Sequence, residues 1–367
     1  MAHPKTSNLN DPRVSTSIPG NCLVTGGAGF IGSHLCERLL EAGHRVICLD
    51  NFNDFYDPSL KRRNISNCLE SDRFSLVPGD ILNVELLDII FSEQTLSESN
   101  ETLLRPESLL DSSPGLAEVD VGVPGFVPDT VVHLAAMAGV RPSLVSPTKY
   151  VDVDVKGTVN LLEEAREHGV DKFVFGSSSS VYGINEQIPF SEDHVTDLQV
   201  SPYAAAKKSA EQYCKTYHHL FQIPCALLRF FTVYGPRQRP EMAIQKFTRL
   251  MAGGNPVPMY GDGTSARDYT YVDDVVNGIV AALEVDLDFE IYNLGNSETV
   301  ELRRLIQLIG EALGVDPSID RQPEQPGDVP ITFADISKAR RELGYNPEVS
   351  IEEGIQRFVD WYRASRA

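Results

Sequence analysis

Cys22-Leu23-Val24-Thr25-Gly26-Gly27-Ala28-Gly29-Phe30-Ile31-Gly32 sets an apolar run against spaced glycines, and an amphipathic stretch over 31–42 follows it. A buried strand, a tight turn and a helix account for this pattern. Gly26 permits the turn, Gly29 lets backbone approach a pyrophosphate, and Gly32 allows close packing of helix on strand. Backbone N–H groups at the helix start then hold phosphates without any basic side chain. A glycine-rich turn that binds nothing is the plain alternative. A strand before it and a helix after it are the context that points to dinucleotide binding. Asp50 strengthens the case. It ends the next strand-like run about twenty residues on, where an acid binds the adenosine ribose hydroxyls. Asn51, not an arginine, follows it, so NAD is expected over NADP.

Outward from this unit, apolar runs at 22–25, 45–49, 74–77, 130–134, 172–175 and 226–230 alternate with amphipathic segments at 31–42, 150–168 and 202–221. Strand–helix alternation of this kind gives an α/β fold, a parallel sheet with helices on both faces. Beyond residue 235 the rhythm breaks into prolines, short strands and three helical pieces near 241–252, 300–313 and 350–365. The expected organisation is a disordered tail at 1–20, a dinucleotide-binding domain at 21–235, and a smaller, partly interleaved substrate domain at 236–367. Residues 94–127 are serine- and acid-rich with little periodicity, and long stretches of that kind are functional or disordered. A mobile surface insertion is expected there.

Composition narrows the function. The formal charge is −20, which argues against nucleic acid or an anionic membrane as partner, since both need basic patches. No apolar run reaches the ~18 residues of a membrane span. The first twenty residues are too polar for a signal peptide; a cytoplasmic protein is expected. The six cysteines show no metal-ligand spacing, and they read as small apolar core groups rather than a metal site or disulfides. An anionic dinucleotide on so acidic a chain needs backbone donors or local arginines.

Tyr203 and Lys207 supply candidate chemistry. Ser201 at an N-cap and Pro202 at the first helical position start a helix, and residues four apart share a helical face. An adjacent cation favours the phenolate of a tyrosine whose ordinary pKa is ~10. Of thirteen tyrosines, only Tyr203 has lysine at the fourth position after it, so abundance does not explain the pairing. A surface tyrosine beside a solvated lysine is the bland alternative. Ser177-Ser178-Ser179-Ser180 ends the fifth strand-like run, where open α/β sheets bind ligands. It reads as a bank of hydroxyls facing a polyol in preference to a polar loop.

TGGAGFIGSH (25–34), HLAA (133–136), SSSSVYG (177–183), SPYAAAK (201–207), LRFFTVYGP (228–236) and YGDGTSARDYTYVDDV (260–275) together resemble the extended short-chain dehydrogenase/reductase family, and specifically its nucleotide-sugar 4-epimerases. The resemblance covers about residues 21–93 and 128–365. DNFNDFYDP, AAMAGVRPS, FTVYGPRQRPEMA and QPGDVP are similar to the UDP-glucuronate 4-epimerases within that group. The insertion at 94–127 departs from the family, which uses a much shorter loop. The resemblance implies a Rossmann-type doubly wound sheet with a smaller mixed α/β substrate domain. It implies a homodimer through helices near 145–168 and 202–221.

It also implies roles. Tyr203 takes the proton from the sugar 4-hydroxyl while C4 gives hydride to NAD; the 4-keto sugar turns over, and hydride returns to its other face. Lys207 lowers the Tyr203 pKa and binds the nicotinamide ribose, and Ser178 hydrogen-bonds O4. Beside Gly26, Gly29, Gly32 and Asp50, the cofactor is expected against Phe30, Ile31, Asn51, Asn53, Asp80, Ile81, Leu134, Ala135, Ala136 and Phe230. Arg267 matches the arginine that pairs with the UDP pyrophosphate, Asp328 the ribose-binding acid, and Tyr260 a uracil stack. An ion pair of Arg267 with Asp268 is the alternative. Family dehydratases carry an acid in the serine loop, and this chain has none there. A sugar carboxylate buried without partners is costly; Arg239, Thr232, Ser179 and Ser180 are expected to hold it, with Arg141 and Arg237 as weaker candidates. The substrate expected is UDP-glucuronate. The rivals are neutral UDP-glucose or UDP-galactose, another nucleotide sugar such as a pentose, and a non-catalytic dinucleotide-binding protein.

Overall fold

The computed structural model describes residues 20–92, 125–323 and 329–366. The expected tail, most of the 94–127 insertion and Asp328 lie outside the described residues.

Seven strands form one parallel sheet: β1 (Asn21–Thr25), β2 (Arg45–Asp50), β3 (Phe74–Pro78), β4 (Thr130–His133), β5 (Lys172–Ser178), β6 (Cys225–Phe230) and β7 (Phe289–Leu294). Their order is β3-β2-β1-β4-β5-β6-β7. Successive side chains of a strand point to opposite faces, and here both faces are covered. Val24, Cys48, Val132, Val174 and Leu228 join one core; Leu23, Ile47, Val131, Phe173 and Leu227 join another. That double burial explains why the strands read as continuous apolar runs. Helices α1 (Phe30–Glu41), α2 (Pro58–Asn64), α3 (Val84–Phe91), α4 (Gly157–His168) and α5 (Pro202–Phe221) belong to this part of the chain. The second core includes residues of α3, α4 and α5.

The strand order reverses between β1 and β4, which pair in parallel from Cys22↔Thr130 to Thr25↔His133. A crevice opens at such a switch point.

Beyond residue 235 the described chain has five helices, not three. Besides α6 (Ala243–Ala252), α8 (Leu302–Leu313) and α9 (Ile351–Ala364) there are α7 (Val272–Glu284) and a short helix at Ser337–Leu343. Asp273 and Asp274 fall in the first turn of α7, where the helix dipole favours acids. α7 packs on α1, and β7 pairs with β6 from Phe289↔Cys225 to Leu294↔Phe230. The late chain thus completes the sheet. Three small pairings, Thr232–Tyr234 with Tyr269–Tyr271, Val257–Tyr260 with Ile319–Gln322, and Ala266–Arg267 with Val300–Glu301, sit beside it.

The expected helix at 150–168 is also corrected. A short helix at Pro147–Tyr150 leads into a wide π-helical turn, Val151–Lys156, before α4 begins. Asp154 lies in that turn with its carboxylate drawn back to the Met137 N–H at 2.6 Å. All six cysteines are buried and free.

Candidate active site

A cleft of about 320 Å³ lies across the switch point, within the range of small-molecule sites. The glycine turn forms its floor. Gly26 has φ +69°, and a Cβ there would come 2.8 Å from the Ala135 nitrogen. At Gly32 a Cβ would fall 2.2 Å from the Gly26 carbonyl oxygen. Both positions need glycine, one for backbone conformation and one for contact. No side chain caps the start of α1 at Gly29, so its free N–H groups are left for an anion. Gly26, Gly29, Phe30, Ile31 and Gly32 all face the cleft.

Asp50 closes β2 at its rim. Its Oδ2 accepts the Ala28 N–H at 3.2 Å and its Oδ1 the Phe52 N–H at 2.9 Å. Lys61 from α2 lies 3.5 Å away, a partner the sequence reading missed because nothing in the motif marks it. Asn51 donates to Asp80 at 2.8 Å, joining the ends of β2 and β3. Asn53, Asp80 and Ile81 line the same end of the cleft, and Leu134, Ala135, Ala136 and Phe230 wall it further along. The structure therefore brings together every residue expected at the cofactor.

Tyr203 and Lys207 enter from the first turns of α5. Ser201 caps this helix by accepting the Ala204 N–H at 3.1 Å, with Pro202 at its start. Lys207 is 4% exposed and donates to the Gly176 carbonyl at 2.9 Å. Burial lowers its ammonium, and Asp154 opposes this. Ser178 ends β5 and accepts the Ser180 N–H at 3.2 Å. Burial raises the Tyr203 phenol above its ordinary value, and neither the Ser178 hydrogen bond nor the Arg239 charge cancels that. A positive charge bound in the cleft favours the phenolate.

On the substrate side, Arg239 alone of the expected residues with described positions lines this cleft. Its Nε lies 3.2 Å from Glu241. Thr232 pairs opposite Tyr269, its N–H on the Asp268 carbonyl. Ser179 and Ser180 form the turn after β5. Arg141 stacks over Tyr260, 5.1 Å from the ring centre. Arg267 donates to the carbonyls of Ala266 and Pro330, and Arg237 pairs with Glu37 at 2.7 Å. The ion pair considered for Arg267 is not with Asp268. That carboxylate is fully buried and accepts the N–H groups of Asn296, Ser297 and Ala334. It ties three late segments together.

Two further groups escaped the sequence reading. Glu211, one turn after Lys207, holds Arg229 of β6 through two bonds of 2.9 Å and accepts from Ser177 at 2.6 Å. Burial opposes its charge, yet Arg229 and Ser177 hold its carboxyl below the ordinary range. His133 of the HLAA motif lies between Thr25 at 2.8 Å and Thr158 at 3.0 Å. Among the described residues Asp88, Glu164 and His168 bring possible metal-ligand atoms within 4.8 Å of one another; none lines the cleft.

A glycine turn at the switch point of a doubly wound sheet, with Ser178, Tyr203 and Lys207 converging on the same cleft, defines the extended short-chain dehydrogenase/reductase class. The family model described as GDP-mannose 4,6 dehydratase matches residues 23–98 and 123–358, and the chain belongs to this family. It is 39% identical over 343 residues to a UDP-glucuronate 4-epimerase of Thermodesulfobacterium geofontis, covering 93% of this chain and 96% of the relative. Among solved structures it is similar to the UDP-glucuronic acid 4-epimerase of Bacillus cereus in complex with UDP-glucuronic acid and NAD. The TM-score is 0.80 at 36% identity, over 94% of this chain and 99% of that one. It is also similar to the UDP-glucose 4-epimerase of Thermotoga maritima with UDP-glucose, with TM-score 0.79 and 32% identity over 95% and 100% of the two chains.

Proposed function

We propose that this protein is an NAD-dependent 4-epimerase that interconverts UDP-glucuronate and UDP-galacturonate. The observation that carries the reading is the arrival of Ser178, Tyr203, Lys207 and Arg239 at the cleft that also holds the glycine turn.

The residues fit NAD. Gly26 and Gly32 leave a cradle that a Cβ would fill, the α1 N-terminus has no side-chain cap, and the Asp50 carboxylate stands where a 2′-phosphate would be repelled. Bound NAD supplies a positive nicotinamide ring and a reversible hydride acceptor. Tyr203 accepts the proton of the sugar 4-hydroxyl as hydride leaves C4, and returns it when hydride adds to the opposite face of the 4-keto sugar. Ser178 orients O4. Lys207, fixed on Gly176, adds positive potential to the buried phenol. Each turnover leaves no net oxidation.

A dehydratase reading finds no support at the serine turn. Glu211, the carboxylate bonded to Ser177, is also engaged by Arg229 and held ionised. The uronate is favoured by the names of the relatives and by Arg239. One observation favours a neutral hexose instead, namely that Arg239 already has Glu241 as partner. Proton NMR of the product from UDP-glucuronate, with kcat/KM compared against UDP-glucose, decides between them. Arg239→Leu should lower kcat/KM for UDP-glucuronate about 10- to 100-fold, the worth of a hydrogen bond to a charged group, and spare UDP-glucose. Faster turnover of the neutral sugar by the unaltered protein would sink the uronate assignment.

The division into a cofactor part, 21–235, and a substrate part, 236–367, interleaved through β7, belongs to the same proposal. So does a homodimer, supported by exposed apolar side chains at Val145, Val151, Leu220 and Phe221 on the expected contact helices. A light-scattering mass near one chain would refute it. The free thiols suit a reducing cytoplasm.

A further inference from the structure

Asp154 is 1% exposed and packed in the wide turn that abuts α5. Its Oδ1 accepts the Met137 N–H, and Met137 lies in the loop after β4 that walls the cleft. Its Oδ2 has no hydrogen-bond partner. Buried polar atoms are rarely left so. Holding one backbone N–H requires an acceptor oxygen, which a neutral amide also offers. What the carboxylate adds is charge.

The groups facing it make that charge consequential. Lys207 and Tyr203 come from α5, Tyr150 from the preceding short helix, and Arg239 acts on both tyrosines from across the cleft. On the β4 side stands His133, joined through Thr158, whose Oγ1 donates to the Asp154 carbonyl at 2.6 Å. His133 is buried and neutral, so it offers no compensating charge.

We propose that Asp154 is a positioning residue whose carboxylate balances the buried Lys207 ammonium and thereby sets the pH range in which Tyr203 works as a base. This rests on the epimerase reading only for the role of Tyr203. A negative charge behind the pair makes both protons harder to remove. It keeps Lys207 charged, and it opposes the Tyr203 phenolate until the cofactor's positive ring offsets it. Burial raises the Asp154 carboxyl to about 6, against the pull of Lys207 and the Met137 N–H, so the balance changes just below neutrality.

Asp154→Asn keeps the size and an acceptor for Met137 but removes the charge. Both limbs of the kcat/KM–pH profile should move to lower pH by about one unit or more, since a unit charge at an effective dielectric of ~20 is worth ~4 kcal/mol at ~4 Å and less with distance. The same shift should appear in an ultraviolet difference titration of the phenol in NAD-saturated protein, with Tyr203→Phe as the blank. That second measurement uses no sugar, so it still reads Asp154 if the substrate assignment fails. Asp154→Ser, uncharged and smaller, should behave alike. Superimposable titrations of variant and parent, whatever happens to kcat, overturn the proposal. So does failure of both variants to fold and hold NAD, which would make the carboxylate a scaffold element.

Discussion

Replacing Glu211 with leucine removes the anchor between α5, the helix that carries Tyr203 and Lys207, and the sheet. Glu211 and Arg229 are each 1% exposed, and Arg229 uses Nε and Nη2 to grip both carboxylate oxygens. Without Glu211 the guanidinium stays buried with no counter-charge, which costs about 3–5 kcal/mol. At roughly 2.1 cal/mol/K of unfolding entropy per residue, the 367 residues carry about 0.8 kcal/mol/K. Tm should therefore fall by roughly 4–6 °C. Arg229→Met alone leaves the carboxylate with Ser177 and Lys208 as its remaining partners and should cost less than that. The double variant Glu211→Leu, Arg229→Met removes both charges and should recover most of the loss, because an apolar pair of similar volume replaces a buried ion pair at little cost. Calorimetry on the four proteins closes the cycle. A double variant no more stable than either single one would refute the electrostatic account and leave packing as the cause.

Gly32→Ala should abolish retention of NAD through purification, because its methyl group would meet the Gly26 backbone and push α1 off the turn; undiminished NAD content would show the contact to be yielding. His133 carries a pH signature. Burial, then the Lys207 charge, holds its imidazole down to about 3, against ~6.5 in an unfolded chain. The unfolded state thus binds the extra proton, and stability present above pH ~6.5 is lost as pH falls toward the folded value, about 2 kcal/mol of it by pH ~5. His133→Asn should lose that much less between neutral and mildly acid buffer in urea titrations. Equal losses in both proteins would place the sensitivity elsewhere.

Much of this site was legible in the chain because its geometry is local. Gly26, Gly29 and Gly32 lie within one turn and the helix it opens, and Ser201, Pro202, Tyr203 and Lys207 within the first turns of α5. A cap, a fixed φ and a four-residue spacing place such groups without help from the rest of the fold. The polar expectations that depended on distant segments fared differently. Of the residues expected around the sugar nucleotide and described here, Arg239 reaches the cleft, while Thr232, Ser179, Ser180, Tyr260, Arg267 and Arg141 do not line it.

The amino-acid order alone determined a glycine turn between β1 and α1, an acid at the end of β2, the capped start of α5, and a sheet buried on both faces, since each follows from period, spacing and backbone allowance. The fold decided what those groups feel. Asp154 lies 49 positions before Tyr203 in number, Arg229 follows Glu211 from another element, and Asp268 gathers N–H groups from beyond residue 290. Desolvation and charge pairing depend on which segments meet in space, and no one-dimensional pattern carries that.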